Sequence, residues 1–309
     1  MVTLQQKDLL DAGVHLGHLS RRWHPNMAPF IFMERHGIHL IDLNKTLAQL
    51  QEATNALQSI ARAGKKILFV ATKKQAKELI MQEAQRLGMP YMTERWLGGT
   101  LTNFITIRRL IKKMTSVERM IKSPTYNNMA KKEQLMIARE KAKLERILQG
   151  ITDLTRLPGA LFVVDINREH IAVREANKLS IPVFALADTN ADPTLVDYPI
   201  PSNDDAARSI NLLVKTIGSA IEAGLTMRNQ DKQLEATEET VTAGQMVRAR
   251  KAKKVASTAA QAVPEKLSNA SKTTQVTSKA SSTRPVAEKA PEPSTLGLAK
   301  QQSELPPKP

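Results

Sequence analysis

The chain has 309 residues with 45 Lys and Arg against 30 Asp and Glu, a formal charge of +15, which favours a polyanionic partner, nucleic acid ahead of an anionic membrane surface. It has no Cys, which excludes disulfides and thiolate metal sites. Its longest strongly apolar runs, such as Ala160 to Val164, fall far short of the ~18 residues of a membrane-spanning helix, and no basic or Arg-rich leader surrounds Lys7, Asp8 and Asp11, so a soluble cytosolic chain is expected.

Taken in order, Thr3 to Asp11 has the pattern of a short helix that ends at Gly13. His15-Leu16-Gly17-His18 follows, then Arg21-Arg22-Trp23-His24-Pro25, a basic polar loop carrying an aromatic. Pro29 to Met33 reads as a strand, His36-Gly37 as a turn and Ile38 to Ile41 as a second strand. Asn44 is expected to cap a long helix with Leu47, Leu50, Ala53, Leu57 and Ile60 on one stripe and Gly64 beyond its end. Ile67 to Ala71 is a short continuous apolar run, the signature of a strand buried on both faces of a parallel sheet. A helix with Ala76, Leu79, Ile80, Ala84 and Leu87 inward stops at Gly88, and Pro90 to Thr93 is the next strand.

The stretch Glu94-Arg95-Trp96-Leu97-Gly98-Gly99-Thr100-Leu101-Thr102-Asn103-Phe104 reads as a junction: paired glycines permit a tight turn, and Thr100 or Thr102 can cap a helix. Beyond it Ile107, Leu110, Met114, Val117 and Ile121 recur at steps of three and four, a coiled-coil-like seam. Ser123 to Asn128 supplies a reversal, and Ile137, Leu144, Leu148 and Ile151 give the returning seam. The insertion, about 102–157, is therefore a helical hairpin. From Phe104 to Arg146 it holds 12 Lys and Arg against 4 acids, an excess of +8. Then the alternation resumes: Ala160 to Asp165 as strand, a helix from Asn167 through Lys178, Ile181 to Leu186 as strand, and a helix opened by Asn203-Asp204-Asp205 with Ile210, Leu213, Val214, Ile217 and Ile221 inward. Strand, helix, strand predicts right-handed crossovers and an α/β domain over 1–225, a parallel sheet with helices on both faces.

From Thr226 the composition changes. The last aromatic is Tyr198, and 226–309 holds 14 basic and 8 acidic residues among Ala, Ser, Thr, Gln and Pro. Such a segment buries too little apolar surface to offset backbone entropy of about 1 to 2 kcal/mol per ordered residue, so a disordered basic tail is expected, compatible with a short helix near Gln245 to Val255.

The candidate chemistry is sparse. His15-Leu16-Gly17-His18 looks like the first signature of class I aminoacyl-tRNA synthetases, and Lys113-Met114-Thr115-Ser116 like the second, but no strand precedes the first and a second lysine is lacking. His15 and His18 are the alternative metal ligands, with no complete tetrahedral set in view. Asp188, Asp192 and Asp197 follow a strand end, where a hydrogen-bonded turn is the simpler reading. No phosphate-binding glycine loop follows any strand. No enzyme, cofactor or small-molecule substrate is therefore expected. Guanidinium forks and aromatic faces suit phosphates and unstacked bases, which selects Arg21, Arg22, Trp23, His24, Arg95 and Trp96 as RNA contacts, with Arg108, Arg109, Lys112 and Lys113 on the hairpin. Lys73, Lys74 and Lys77 join them at a helix start that suits phosphate.

Leu9 to His18, Arg21 to Pro25, Arg95 to Asn103, Val163 to Asp165 and on through Glu175 to Val183, Ala187 to Asn190 and Tyr198 to Asp205 together resemble the bacterial small-subunit ribosomal protein two family. The resemblance spans Leu4 to about Leu225, and the tail departs from it. It implies a flavodoxin-like sheet with an inserted coiled-coil hairpin and a structural role in the ribosome. It also implies contacts with small-subunit ribosomal RNA at the head–body junction and with neighbouring ribosomal proteins, including recruitment of ribosomal protein one.

Overall fold

The computed structural model of the chain describes residues 4–259. The first of its two units is residues 1–248; of the second, 249–309, the described part is the helical stretch 249–259.

The N-terminal segment is a helix, α1 (Gln6–Asp11), followed by a three-stranded antiparallel sheet, β1 (Leu16–Leu19), β2 (Ile31–Arg35) and β3 (Ile38–Ile41), in the order β1-β3-β2. His36 and Gly37 link β2 to β3 at φ 52° and 74°, the paired left-handed residues that a two-residue hairpin requires. Helix α2 (Leu43–Arg62) then leads to the main sheet, built from β4 (Ile67–Val70), β5 (Tyr91–Met92), β6 (Ala160–Val164), β7 (Val183–Ala187) and β8 (Tyr198–Pro201). All its pairings are parallel, and the order is β5-β4-β6-β7-β8. Numbered within the sheet this is 2-1-3-4-5, the flavodoxin-like winding. The crossovers use α3 (Lys74–Leu87), α4 (Phe104–Ile121) with the short α5 (Pro124–Asn127) and α6 (Lys131–Leu148), and α7 (His170–Lys178); α8 (Ala207–Ala259) closes the described chain.

Strand alternation divides the core into two layers. Ile67, Phe69, Phe162, Val164, Phe184 and Leu186 face α1, α2, α3 and α8. Leu68, Val70, Leu161, Val163, Val183 and Ala185 face α4, α7 and the foot of α6. Phe69 meets Phe162 edge-on at 5.4 Å, and Phe184 stacks on Tyr198 at 4.4 Å, so truncating any of these phenylalanines to Ala costs about 3–5 kcal/mol. The hairpin of α4 and α6 is rooted in the second layer. Ile107, Ile111, Met114 and Val117 are buried on α4 and Leu148 on α6, while Ile137 and Leu144 further out are half-buried.

Local structure departs from or adds to the sequence reading at four places. Residues 16–19 form a strand, where the sequence showed only a polar histidine motif. Asp42 rather than Asn44 caps α2, its Oδ1 accepting the Asn44 amide at 3.0 Å. Tyr198–Pro201 is an edge strand despite two prolines, which an edge tolerates because its outward amides have no ladder partner. The last helix does not stop near Leu225. Gly224 brings its backbone onto α2, where a Cβ would lie 2.4 Å from the Gln58 carbonyl. Beyond it the Arg62 Nε and Nη2 donate to Asp231 at 2.8 and 3.2 Å, and the Arg228 guanidinium lies over Gly64. Polar contacts with α2 accompany the helix past its apolar stripe as far as Asp231. The helix anticipated at 245–255 lies within α8, and 260–309 of the expected tail is outside the described residues.

Candidate nucleic-acid interface

Parallel winding carries the loops after every strand of the main sheet to its C-terminal edge, the usual location of function in such folds. There Lys73 follows β4, Asp165 follows β6, Asp188 follows β7, and Asp204 and Asp205 follow β8. The N-terminal sheet adds His18. Lys73 Nζ lies 2.7 Å from Asp204 Oδ1, 2.6 Å from Asp205 Oδ1 and 3.7 Å from Asp165 Oδ2. His18 meets Asp188 through Nδ1 at 3.1 Å and Asp205 through Nε2 at 3.3 Å. Burial works to lower the Lys73 pKa, but its hydrogen bonds to Asp204 and Asp205 outweigh this and raise it. The hydrogen bond to Asp188 raises that of His18. Burial, and then the charges of Asp188 and Asp165, push the Asp204 carboxyl up to about 7.

Lys73 is thus buried and committed to carboxylates, which removes it from the solvent-facing phosphate contacts expected of it. The same cluster relocates the metal reading. Ligand atoms of His18, Asp188 and Asp204 lie within 4.8 Å of one another, and Asp204 Oδ2 is buried without a hydrogen-bond partner. One imidazole and two carboxylates could hold a divalent cation here; without one, Lys73 supplies the compensating charge. His15 is not in this group, and its Nδ1 is buried without a partner.

The Arg21-Arg22-Trp23 loop is anchored above the end of β7. The His24 amide donates to the Thr189 carbonyl at 2.8 Å, the His18 amide to Thr189 Oγ1 at 2.9 Å, and Asn26 Nδ2 to Asp192 Oδ1 at 3.0 Å. Gly17 permits this approach, since a Cβ there would lie 2.5 Å from Thr189 Cγ2. Arg21 and Arg22 face solvent. Trp23 is 40% exposed, its ring tilted over His39 at 5.3 Å. His24 is half-buried and its Nδ1 accepts the Asn26 amide, a capping role.

Among the other expected contacts, Lys74, Arg95, Arg109 and Lys112 are exposed. Lys77 pairs with Glu94, Lys113 with Glu140 at 2.5 Å, and Arg108 Nη1 donates to the Thr155 carbonyl at 3.0 Å. Arg21, Arg22, Lys74, Arg95, Arg109 and Lys112 therefore remain as solvent-facing cations without an acidic partner among the described residues.

Trp96 is the other inward-turned residue, only 7% exposed. Its Nε1 donates to Glu175 Oε1 at 3.1 Å, and the same carboxylate accepts the amides of Gly99 at 2.7 Å, Leu101 at 3.0 Å and Thr102 at 3.1 Å, plus the Thr102 hydroxyl at 3.1 Å. Burial alone would raise the Glu175 pKa; these hydrogen bonds outweigh it and hold the carboxyl below its usual range. Gly99 sits at φ 87°, so the loop can turn its amides inward onto one side chain. Residue chemistry alone did not single out Glu175 as functional. The available signal was an acid within the buried stripe Ala172, Val173 and Ala176 of α7, where an unpaired charge is costly.

Comparison with known proteins agrees with this architecture. The family model described as Ribosomal protein S2 matches residues 9–224. A protein of Amoebophilus asiaticus named small ribosomal subunit protein uS2 is 75% identical over 236 residues, covering 76% of this chain and 75% of the relative. Proteins of the same name from Cytophaga hutchinsonii and Christiangramia forsetii are 62% and 59% identical, covering 74% and 73% of this chain and 90% and 75% of those proteins. With the sheet order, the inserted hairpin and the match across the whole α/β domain in agreement, the chain belongs to the ribosomal protein S2 family, whose members are structural and non-enzymatic.

Proposed function

We propose that this component of the small ribosomal subunit binds ribosomal RNA at the junction of head and body, and offers a docking face to ribosomal protein one. It acts in the cytoplasm as part of the ribosome, among neighbouring small-subunit proteins. The observation that carries RNA binding is the set of unpaired, exposed cations. Arg21, Arg22, Lys74 and Arg95 share the C-terminal edge of the main sheet, and Arg109 and Lys112 lie on the hairpin. Cations that a fold needs for itself acquire partners, as Lys73 and Lys77 do; these six leave their donors for phosphate. Trp23 adds an aromatic face beside two of them, suited to an unstacked base.

A separate surface supports protein docking. Register places Leu16, Leu19, Met33, Ile38 and Leu40 on one face of the N-terminal sheet, with Arg35 opposite Ile38 at its rim, and Phe32, at the irregularity in β2, is 70% exposed. The solvent side of an antiparallel sheet is ordinarily polar, so a contiguous apolar face marks a contact with another protein. Sedimentation of cell extract tests the main reading. The protein should migrate with the small subunit and leave it at high salt, and a protein that stays at the top of the gradient at low salt would refute the assignment. For the second surface, Phe32→Ser with Met33→Ser should leave subunit incorporation intact and deplete ribosomal protein one from the particle.

A further inference from the structure

The hairpin leaves the body on two legs that are fixed differently. The returning leg is held by close packing: at Gly150 a Cβ would lie 2.1 Å from the Tyr91 carbonyl oxygen, so the backbone of the insertion rests directly on β5. The outgoing leg starts with a deficit. Helix α4 has Asn103 at its cap position with no side-chain capping bond, and the turn before it points several main-chain amides inward, where orphaned donors are costly. Those amides are satisfied from across the fold by the Glu175 carboxylate of α7.

We propose that Glu175 is the positioning residue of the basic arm: its carboxylate fixes the direction in which α4 leaves the sheet domain and so where Arg109 and Lys112 meet RNA. The second half of that statement rests on the RNA-binding reading above. Five donors converge on two oxygens, which an ionised carboxylate accommodates because it only accepts. An amide of the same shape would keep one acceptor and turn an NH2 group toward main-chain N–H donors. The loop from Trp96 to Thr102 would then have to release two or more bonds, freeing the first turn of α4. The body should lose stability in proportion to the bonds released but remain folded, because most of both apolar layers comes from other elements.

The chain is free of Cys, so exposed Ser116 on α4 and exposed Glu52 on α2 can be changed to Cys and labelled with nitroxides without background. Pulsed dipolar spectroscopy then reads the arm-to-body distance in the intact protein. Glu175→Gln is expected to broaden that distribution at least twofold. Thr102→Val, which removes only the hydroxyl donor, should broaden it less. An unchanged distribution in folded Glu175→Gln overturns the assignment, as does an unchanged one in Thr102→Val should the first variant not fold. Binding of transcribed small-subunit ribosomal RNA by the same variant should weaken about tenfold. A broadened arm with unchanged RNA affinity would uphold the positioning role and count against the arm as an RNA contact, so the two readings fail separately.

Discussion

Reversing Arg21 and Arg22 to Glu is the sharpest test of the interface. Both side chains are exposed and neither has a hydrogen-bond or ionic partner among the described residues, so the fold should be retained to within about 0.5 kcal/mol. Among the expected contacts, six such cations have no acidic partner among the described residues. If each meets one phosphate, log affinity should fall with log salt at a slope of about −5 on the duplex-DNA calibration of roughly 0.9 per contact, or about −4 on the single-strand value. Raising salt fourfold would then weaken the native protein by about 10³ and the variant, with four contacts left, by about 10². The reversed charges also repel the backbone, so the variant should bind more weakly at every salt concentration. The assay is fluorescence anisotropy with transcribed small-subunit ribosomal RNA across a salt series, with incorporation into subunits followed in parallel. A variant with native slope and native incorporation would show that the loop does not touch phosphate and that the hairpin and the edges near Lys74 and Arg95 carry the interaction.

The two tryptophans should separate cleanly. Trp96→Phe loses the bond to Glu175 and should cost about 1–3 kcal/mol by denaturant unfolding, whereas Trp23→Ala should leave unfolding nearly unchanged and weaken RNA binding. Asp204 is raised from 3.8 to about 7 in the folded protein, so the native state binds its proton more tightly than the unfolded chain does. Its contribution to stability is therefore lost as pH rises from about 4 to 7, and Asp204→Asn should flatten the melting temperature across that window; an equally steep profile in the variant would contradict the assignment. A chain ending after Leu225 should still fold, because its core is intact, but melt a few degrees lower for want of the Arg62–Asp231 and Arg228–Gly64 contacts. Ending it after Leu234 should restore the native melting temperature if those contacts are the reason.

The sequence alone determined the features that depend on near neighbours. Ile67 to Ala71 and Ala160 to Asp165 are legible because a strand buried on both faces must be apolar at every position. The hairpin is legible because its seam repeats every three to four residues, and the resemblance carried by motifs such as Arg95 to Asn103 was enough to name the family. Tertiary structure decided what each polar residue is for. Lys73 and Lys74 are adjacent in the chain and equally basic, yet Lys73 is buried against Asp204, 131 positions away, and Lys74 faces solvent. Trp23 and Trp96 looked alike beside arginines, until Glu175, 79 positions from Trp96, claimed one of them for the interior. Periodicity reports on separations of a few residues, set by the 3.6-residue helix turn and the two-residue strand repeat. Whether a charge finds a partner depends on which loops the strand order brings to the same edge of the sheet, and that proximity exists only once the chain has wound β8 beside β7 and α7 beneath the junction.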